Sequence, residues 1–187
     1  MASHAHRDPA VIDLRLLQGM RWTAYATSTI AIAVGVLVLL GWACNIHVLR
    51  SIVPGLTAMN PGGTAITFLL AGISLALAVD PQDKSRLQGS QWLALIVIIL
   101  ATSRLVCYLL QWDVGPDQWL FHEKLNAYTP VNRMAPNTAL GMLLVGTALL
   151  MLDVETRRIH RPAQWLTLVA ALIAMFTIVG YAYNSSS

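Results

Sequence analysis

Five apolar runs occupy most of this 187-residue chain and restrict it to one environment. They are Trp22 to Cys44, Gly62 to Val79, Gln91 to Trp112, Met134 to Leu152 and Ala163 to Tyr183. Each holds roughly 20 residues, the length needed to cross a hydrocarbon core about 30 Å thick. Lipid offers no water to backbone amides and carbonyls, so a span pairs its own as a helix. With 11% charged residues, 56% apolar residues and mean hydropathy +0.60, the chain also falls far from soluble domains, in which about a quarter of residues are charged. We therefore expect an all-α integral membrane protein with five transmembrane helices.

Lys and Arg residues orient it. Eight of the twelve, including Arg15, Arg21, Lys84, Arg86, Arg157 and Arg158, fall on the side of the N-terminus. Arg50, Lys124 and Arg133 fall on the other side, and Arg104 lies within a span. Short cytoplasmic loops carry the excess of Lys and Arg, which predicts a cytoplasmic N-terminus and, with five spans, an outer C-terminus. Residues 1–21 then form a cytoplasmic leader, in which Asp8 and Pro9 start an interfacial helix with Val11, Leu14, Leu17 and Met20 at helical spacing. Residues 22–187 form the membrane domain. The net charge of +3 and pI near 9.1 report topology. No Lys/Arg cluster marks one element as a nucleic-acid face, so nucleic acid is not an expected partner.

Two stretches about 74 positions apart carry the same text, MNPGGTAITFLLAG at 59–72 and MAPNTALGMLLVG at 134–146. The likeness continues into the following spans, which open with QWL at Gln91 and at Gln164 and set Tyr108 opposite Tyr181. A fixed period means one supersecondary unit used twice. Here it is a pair of membrane helices, with copies at about 59–112 and 134–184. Two spans separate the copies, so they share one direction across the bilayer, a parallel repeat unlike the inverted repeats of many transporters. Ala65 and Gly72 recur on one helix face, as do Ala139 and Gly146. Small residues let membrane helices approach closely, so these four are the expected packing positions. Met59-x-Pro61 and Met134-x-Pro136 precede the two helices, where proline is tolerated because its missing amide has no intrahelical partner.

Few residues carry chemistry. Arg104 lies eight residues before Trp112 inside the third span, and its expected partner is Asp113 or a helix carbonyl. The loop WDVGPDQWLFHEKLNAYTPVNR is aromatic, and Asp117 is placed to cap a short helix with Trp119, Leu120, Phe121 and Leu125. An aromatic belt accounts for the boundary tryptophans, while Trp112, Trp119, His122 and Tyr128 are the aromatic ligand-binding candidates, with Met59, Met134 and Arg104 beside them. His47, His122 and the acidic loop residues lack the close spacing of metal sites, so no metal is predicted. Haem needs an axial His or Met and no span contains a histidine, so no cofactor is predicted, and haem would be held near the outer surface through His47 or His122. Cys44 and Cys107 read as packing residues. No nucleophile elbow, phosphate-binding glycine loop or metalloprotease motif occurs, and no enzymatic activity is expected.

The segments LRSIVPGLTAMNPGGTAITFLLAGISL, QWDVGPDQWLF and NRMAPNTALGMLLVGTALLML, preceded by Gly41-Trp42, resemble the multi-pass N-terminal sensory region of bacterial sensor histidine kinases and diguanylate cyclases. The resemblance covers about residues 40–183. It implies a sensory input domain in the bacterial inner membrane, with a further span and a cytoplasmic output module beyond these 187 residues. Two positions depart from the family: Cys107 stands where an acidic residue often precedes Tyr108, and Arg104 stands where a neutral residue is usual. A non-catalytic subunit packed into a larger, for example bioenergetic, membrane complex is the other expectation. Lipid, other membrane helices and a second copy of the chain are the expected partners.

Overall fold

A computed structural model describes residues 9–51, 58–79, 84–112, 115–128, 131–152 and 162–184. Every regular element among them is helical. The long helices are α1 (Pro9–Ala43), α3 (Pro61–Val79, opening with one π-helical turn over Pro61–Ala65), α4 (Lys84–Leu109) and α7 (Pro162–Asn184). The short ones are α2 (His47–Arg50), α5 (His122–Asn126) and α6 (Pro136–Leu150). Helices α1, α3, α4 and α7 are long and apolar enough to cross a membrane, whereas α6 is apolar but has 15 residues. The helix expected in the leader is continuous with the first span from Pro9 onward, because no proline interrupts residues 10–43.

Local sequence explains the ends. Pro61 and Pro136 open α3 and α6 at the first turn, as expected. Asn60 caps α3, its Oδ1 accepting from Gly63 N at 2.6 Å. Helices α1 and α4 finish alike, with Asn45 (φ 60°) and Gln111 (φ 55°) left-handed. Ile46 N then donates to Gly41 O and Trp112 N to Cys107 O, both at 2.9 Å, so orphan carbonyls of each last turn are satisfied.

Helix α3 packs on α1 and α4, and α6 packs on α4 and α7. All four expected packing residues are buried. A Cβ on Gly72 would lie 2.9–3.1 Å from Ile32 Cγ1, Ser28 O and Ala31 Cβ of α1. A Cβ on Gly146 would lie 2.9–3.3 Å from Ile98 Cγ1, Val97 Cγ1 and Ala94 O of α4. Each glycine thus sets a close crossing with the preceding long helix, and Ala71, Ala94, Val97, Ala101, Ala139 and Met142 fill the core around α4 and α6.

Between α3 and α4, two buried serines bond reciprocally: Ser74 Oγ donates to Ser90 O at 2.9 Å, and Ser90 Oγ to Ser74 O at 2.8 Å. Ser90→Ala is expected to cost about 0.6–1.7 kcal/mol, the range measured for interhelical hydrogen bonds in membranes. SDS-induced unfolding followed by circular dichroism checks this, and an unchanged midpoint would show that the bond from Ser90 Oγ is incidental, since Ser74 Oγ still reaches the Ser90 carbonyl.

Candidate functional site

At one end of the bundle α1 and α4 finish and α3 and α6 begin. Here α2, the turn Pro116–Gln118, α5 and residues 131–135 cover the helix ends. Two polar clusters form among these segments.

The first is centred on Arg104. Its side chain is 1% exposed, and its Nη1 lies 3.3 Å from Oδ1 of Asp117, which is equally buried. Among the described residues neither of these two facing atoms has a hydrogen-bond partner, so the pair is a charge contact without hydrogen-bond alignment. The remaining atoms are well engaged. Asp117 Oδ2 accepts from Met134 N at 3.0 Å, while Met134 O accepts from Tyr108 Oη at 2.8 Å and from Arg104 Nε at 3.4 Å. The guanidinium also lies over the Tyr108 ring, 4.3 Å from its centroid. Gly63 lets the loop close over the pair: a Cβ there would stand 2.8 Å from Asp117 Cβ and 2.9 Å from Met134 Cβ. One carboxylate therefore ties together α4, the loop, and the entrances of both α3 and α6.

The second cluster surrounds Trp42, which is fully buried. Trp42 Nε1 donates to Met59 O at 2.9 Å, and Lys124 Nζ donates to Trp42 O at 2.7 Å. Phe121 and Tyr128 pack on the indole at centroid distances of 6.3 and 5.7 Å. Arg50 lies 4.7 Å from the ring centroid, with Nε donating to Gly41 O, Nη1 to Tyr128 Oη and Nη2 to Asn45 Oδ1. Asn60 Nδ2 donates to Asn132 O at 3.2 Å and Asn132 Nδ2 to Ala58 O at 2.6 Å, so the two helix entrances are stitched to each other.

The ligand-binding candidates from the sequence divide accordingly. Arg104 and Met134 meet in the first cluster, and Met59 and Tyr128 in the second. Trp112, Trp119 and His122 are exposed, with Asn126 Nδ2 3.0 Å from His122 Nε2. His47 is exposed as well. Asp113, one expected partner of Arg104, lies outside the described residues. The acceptor is not a helix carbonyl but Met134 O in the loop before α6, and the charge partner is Asp117. Asp117 also corrects the expected cap. It sits in the 3-10 turn Pro116–Gln118, and α5 begins later behind Phe121, which is left-handed (φ 58°) and makes no side-chain cap. A carboxylate facing a buried guanidinium gains more than one capping a short surface turn. Cys107 is buried, as a packing residue should be, whereas Cys44, also expected to pack, is exposed. Among the described residues, no group of three or more His, Cys, Asp and Glu side chains converges.

No protein-family model, curated protein or solved structure matches this chain.

Proposed function

We propose that the chain is the membrane-embedded input domain of a bacterial signal-transduction protein. In this reading it lies in the inner membrane with its N-terminus cytoplasmic, and the clustered end faces outward. Helix α6 is the fifth span, extended by 131–135 at one end and by Met151 and Leu152 at the other. The pairs α3–α4 and α6–α7 are then two copies of one unit with the same direction across the bilayer.

One observation carries the sensing role: the buried Arg104–Asp117 pair, which joins a transmembrane helix to an outer loop and to both helix entrances. A buried ion pair gives little net stability against apolar residues of the same size, because desolvating both charges offsets their attraction. Ionisable groups inside membrane proteins instead mark working sites. A signal that binds only when Asp117 has left Arg104 favours the open arrangement by its difference in affinity for the two states. Separation unties α4 from the loop and leaves Arg104 Nε and Tyr108 Oη on Met134 O as its bonds to the entrance of α6, and helix shifts of this kind carry signals to a cytoplasmic output. Spin labels on Gln88→Cys and Gln164→Cys, in a chain with Cys44 and Cys107 replaced by alanine and held in lipid nanodiscs, report the opposite end of α4 and α7. Asp117→Asn is expected to move that distance distribution by about 1–2 Å, the usual scale of helix shifts. An unchanged distribution in a folded variant would rule out transmission.

The alternative, a non-catalytic subunit of a larger membrane complex, is favoured by α7. Its exposed side includes the small residues Thr167, Ala171 and Ala174.

A further inference from the structure

The two glycine-bearing helices cross their long neighbours in one register. Gly72 of α3 meets Ser28, Ala31 and Ile32 of α1, and Gly146 of α6 meets Ala94, Val97 and Ile98 of α4. All three contact positions are related by the same shift, 94 − 28 = 97 − 31 = 98 − 32 = 66. The same shift carries Trp42, which donates to Met59 O, onto Tyr108, which donates to Met134 O. It carries left-handed Asn45 onto left-handed Gln111, and the bond Ile46 N to Gly41 O onto Trp112 N to Cys107 O. The ends of α1 and α4 are therefore equivalent clamps, each seating one helix entrance.

Each clamp holds a buried guanidinium against its aromatic ring, Arg50 at 4.7 Å from the Trp42 centroid and Arg104 at 4.3 Å from that of Tyr108. The register position of Arg104 is Val38 in the first clamp, so the first cation comes from α2 instead. The clamps differ in charge. Arg104 faces Asp117, whereas Arg50, 5% exposed, meets neutral acceptors among the described residues: Gly41 O, Tyr128 Oη and Asn45 Oδ1. Lys124 brings a second positive charge to the next carbonyl of the same helix end, Trp42 O. Among the described residues neither cation has a carboxylate partner, and Glu123, next to Lys124 in the chain, is exposed.

The C-terminus of α1 offers about half a negative charge to these two full positive charges. A buried charge without a partner is costly, and in the second clamp an oxyanion meets the guanidinium. Donors remain to bind one. Arg50 has five N–H groups and uses three, and Lys124 has three and uses one. Asn45 is exposed and Lys124 and Tyr128 are half-buried, so the cations can be reached from outside the bundle. Leu37, Leu40, Ile46 and Val48 beside them are exposed apolar side chains, at the end of a helix long and apolar enough to cross a membrane.

We propose that Arg50 and Lys124 form a binding site for an anionic phosphate, supplied by the headgroup of an acidic phospholipid whose acyl chains lie along Leu40 and Leu37. The phosphate does for Arg50 what Asp117 does for Arg104. Guanidinium and ammonium groups are the usual protein partners of phosphate, and basic side chains at a membrane surface select anionic lipids. The inference needs α1 to span the membrane and is independent of the sensing role proposed above.

Native mass spectrometry of the delipidated full chain measures binding of phosphatidylglycerol, phosphatidylcholine and inorganic phosphate. Phosphatidylglycerol is expected to bind about thirtyfold more tightly than phosphatidylcholine, the contribution of two cations at an anionic headgroup. Asn45→Asp sets a carboxylate on Arg50 at a left-handed position that aspartate tolerates, and Lys124→Gln removes the ammonium. Each cancels one positive charge and is expected to cut the preference about fivefold, and the two together to abolish it. Displacement of the lipid by millimolar inorganic phosphate, weakened by the same two variants, would keep the phosphate site and assign it to a free anion; no displacement assigns it to the lipid. Equal affinity for the two lipids, or a preference unchanged in both variants, would overturn the proposal. An equal loss in Lys84→Gln, exposed at the opposite end of the bundle, would show general charge attraction and overturn it as well.

Discussion

Asp117→Asn and Arg104→Met, each made alone, are expected to destabilise the folded chain by about 3–5 kcal/mol, the cost of leaving one buried charge without its partner. The asparagine retains the shape of the carboxylate and an oxygen able to accept from Met134 N, 3.0 Å away in the native chain. Its effect therefore isolates the charge. Arg104→Met removes the cation together with its contact on the Tyr108 ring and its bond to Met134 O. Combining Arg104→Met with Asp117→Asn is expected to recover part of the loss, because neither charge is then left buried without its partner. SDS-induced unfolding followed by circular dichroism measures all three variants. Single effects below about 1 kcal/mol that simply add would describe a solvated surface pair, and the coupling between α4 and the loop would fall with them.

Trp42→Ala is the other large effect expected, at about 3–5 kcal/mol for truncating a fully buried aromatic side chain. The indole packs against Arg50, Phe121 and Tyr128 and gives its Nε1–H to Met59 O, so truncation leaves a void and an unpaired carbonyl. Trp42→Phe keeps most of the packing and loses the hydrogen bond, for an expected cost of about 1–2 kcal/mol. The same unfolding measurement orders the two. Equal losses would mean that the Met59 carbonyl bond, and not the ring, seats the entrance of α3.

The candidate site was partly legible before the structure. Arg104 stood out because a charge inside an apolar run is expensive whatever surrounds it. Its partner was not legible. Asp117 follows Pro116 in a polar loop, a pattern that also describes a helix cap, and its actual contacts lie 13 residues away at Arg104 and 17 away at Met134. Trp112 and Trp119 read equally well as belt or pocket residues, since both roles put an aromatic ring near a membrane boundary. Their exposure favours the belt. Trp42 carried no signal to set it apart from the other boundary tryptophans, although its position 17 residues before Met59 decides the second cluster.

The sequence by itself determined the helical character, the apolar runs, the prolines that open α3 and α6, and the small residues at Ala65, Gly72, Ala139 and Gly146. These are local properties: hydrophobic period, backbone freedom and side-chain size act within a few residues of where they are written. Only the tertiary structure decided that Gly72 crosses α1 while Gly146 crosses α4, that Asp117 neutralises Arg104, and that α1 and α4 share a register their text conceals. Such contacts join segments far apart in the chain. Several small-residue faces on each helix could meet a neighbour in lipid, and the choice among them is made by the fit of whole helices against one another.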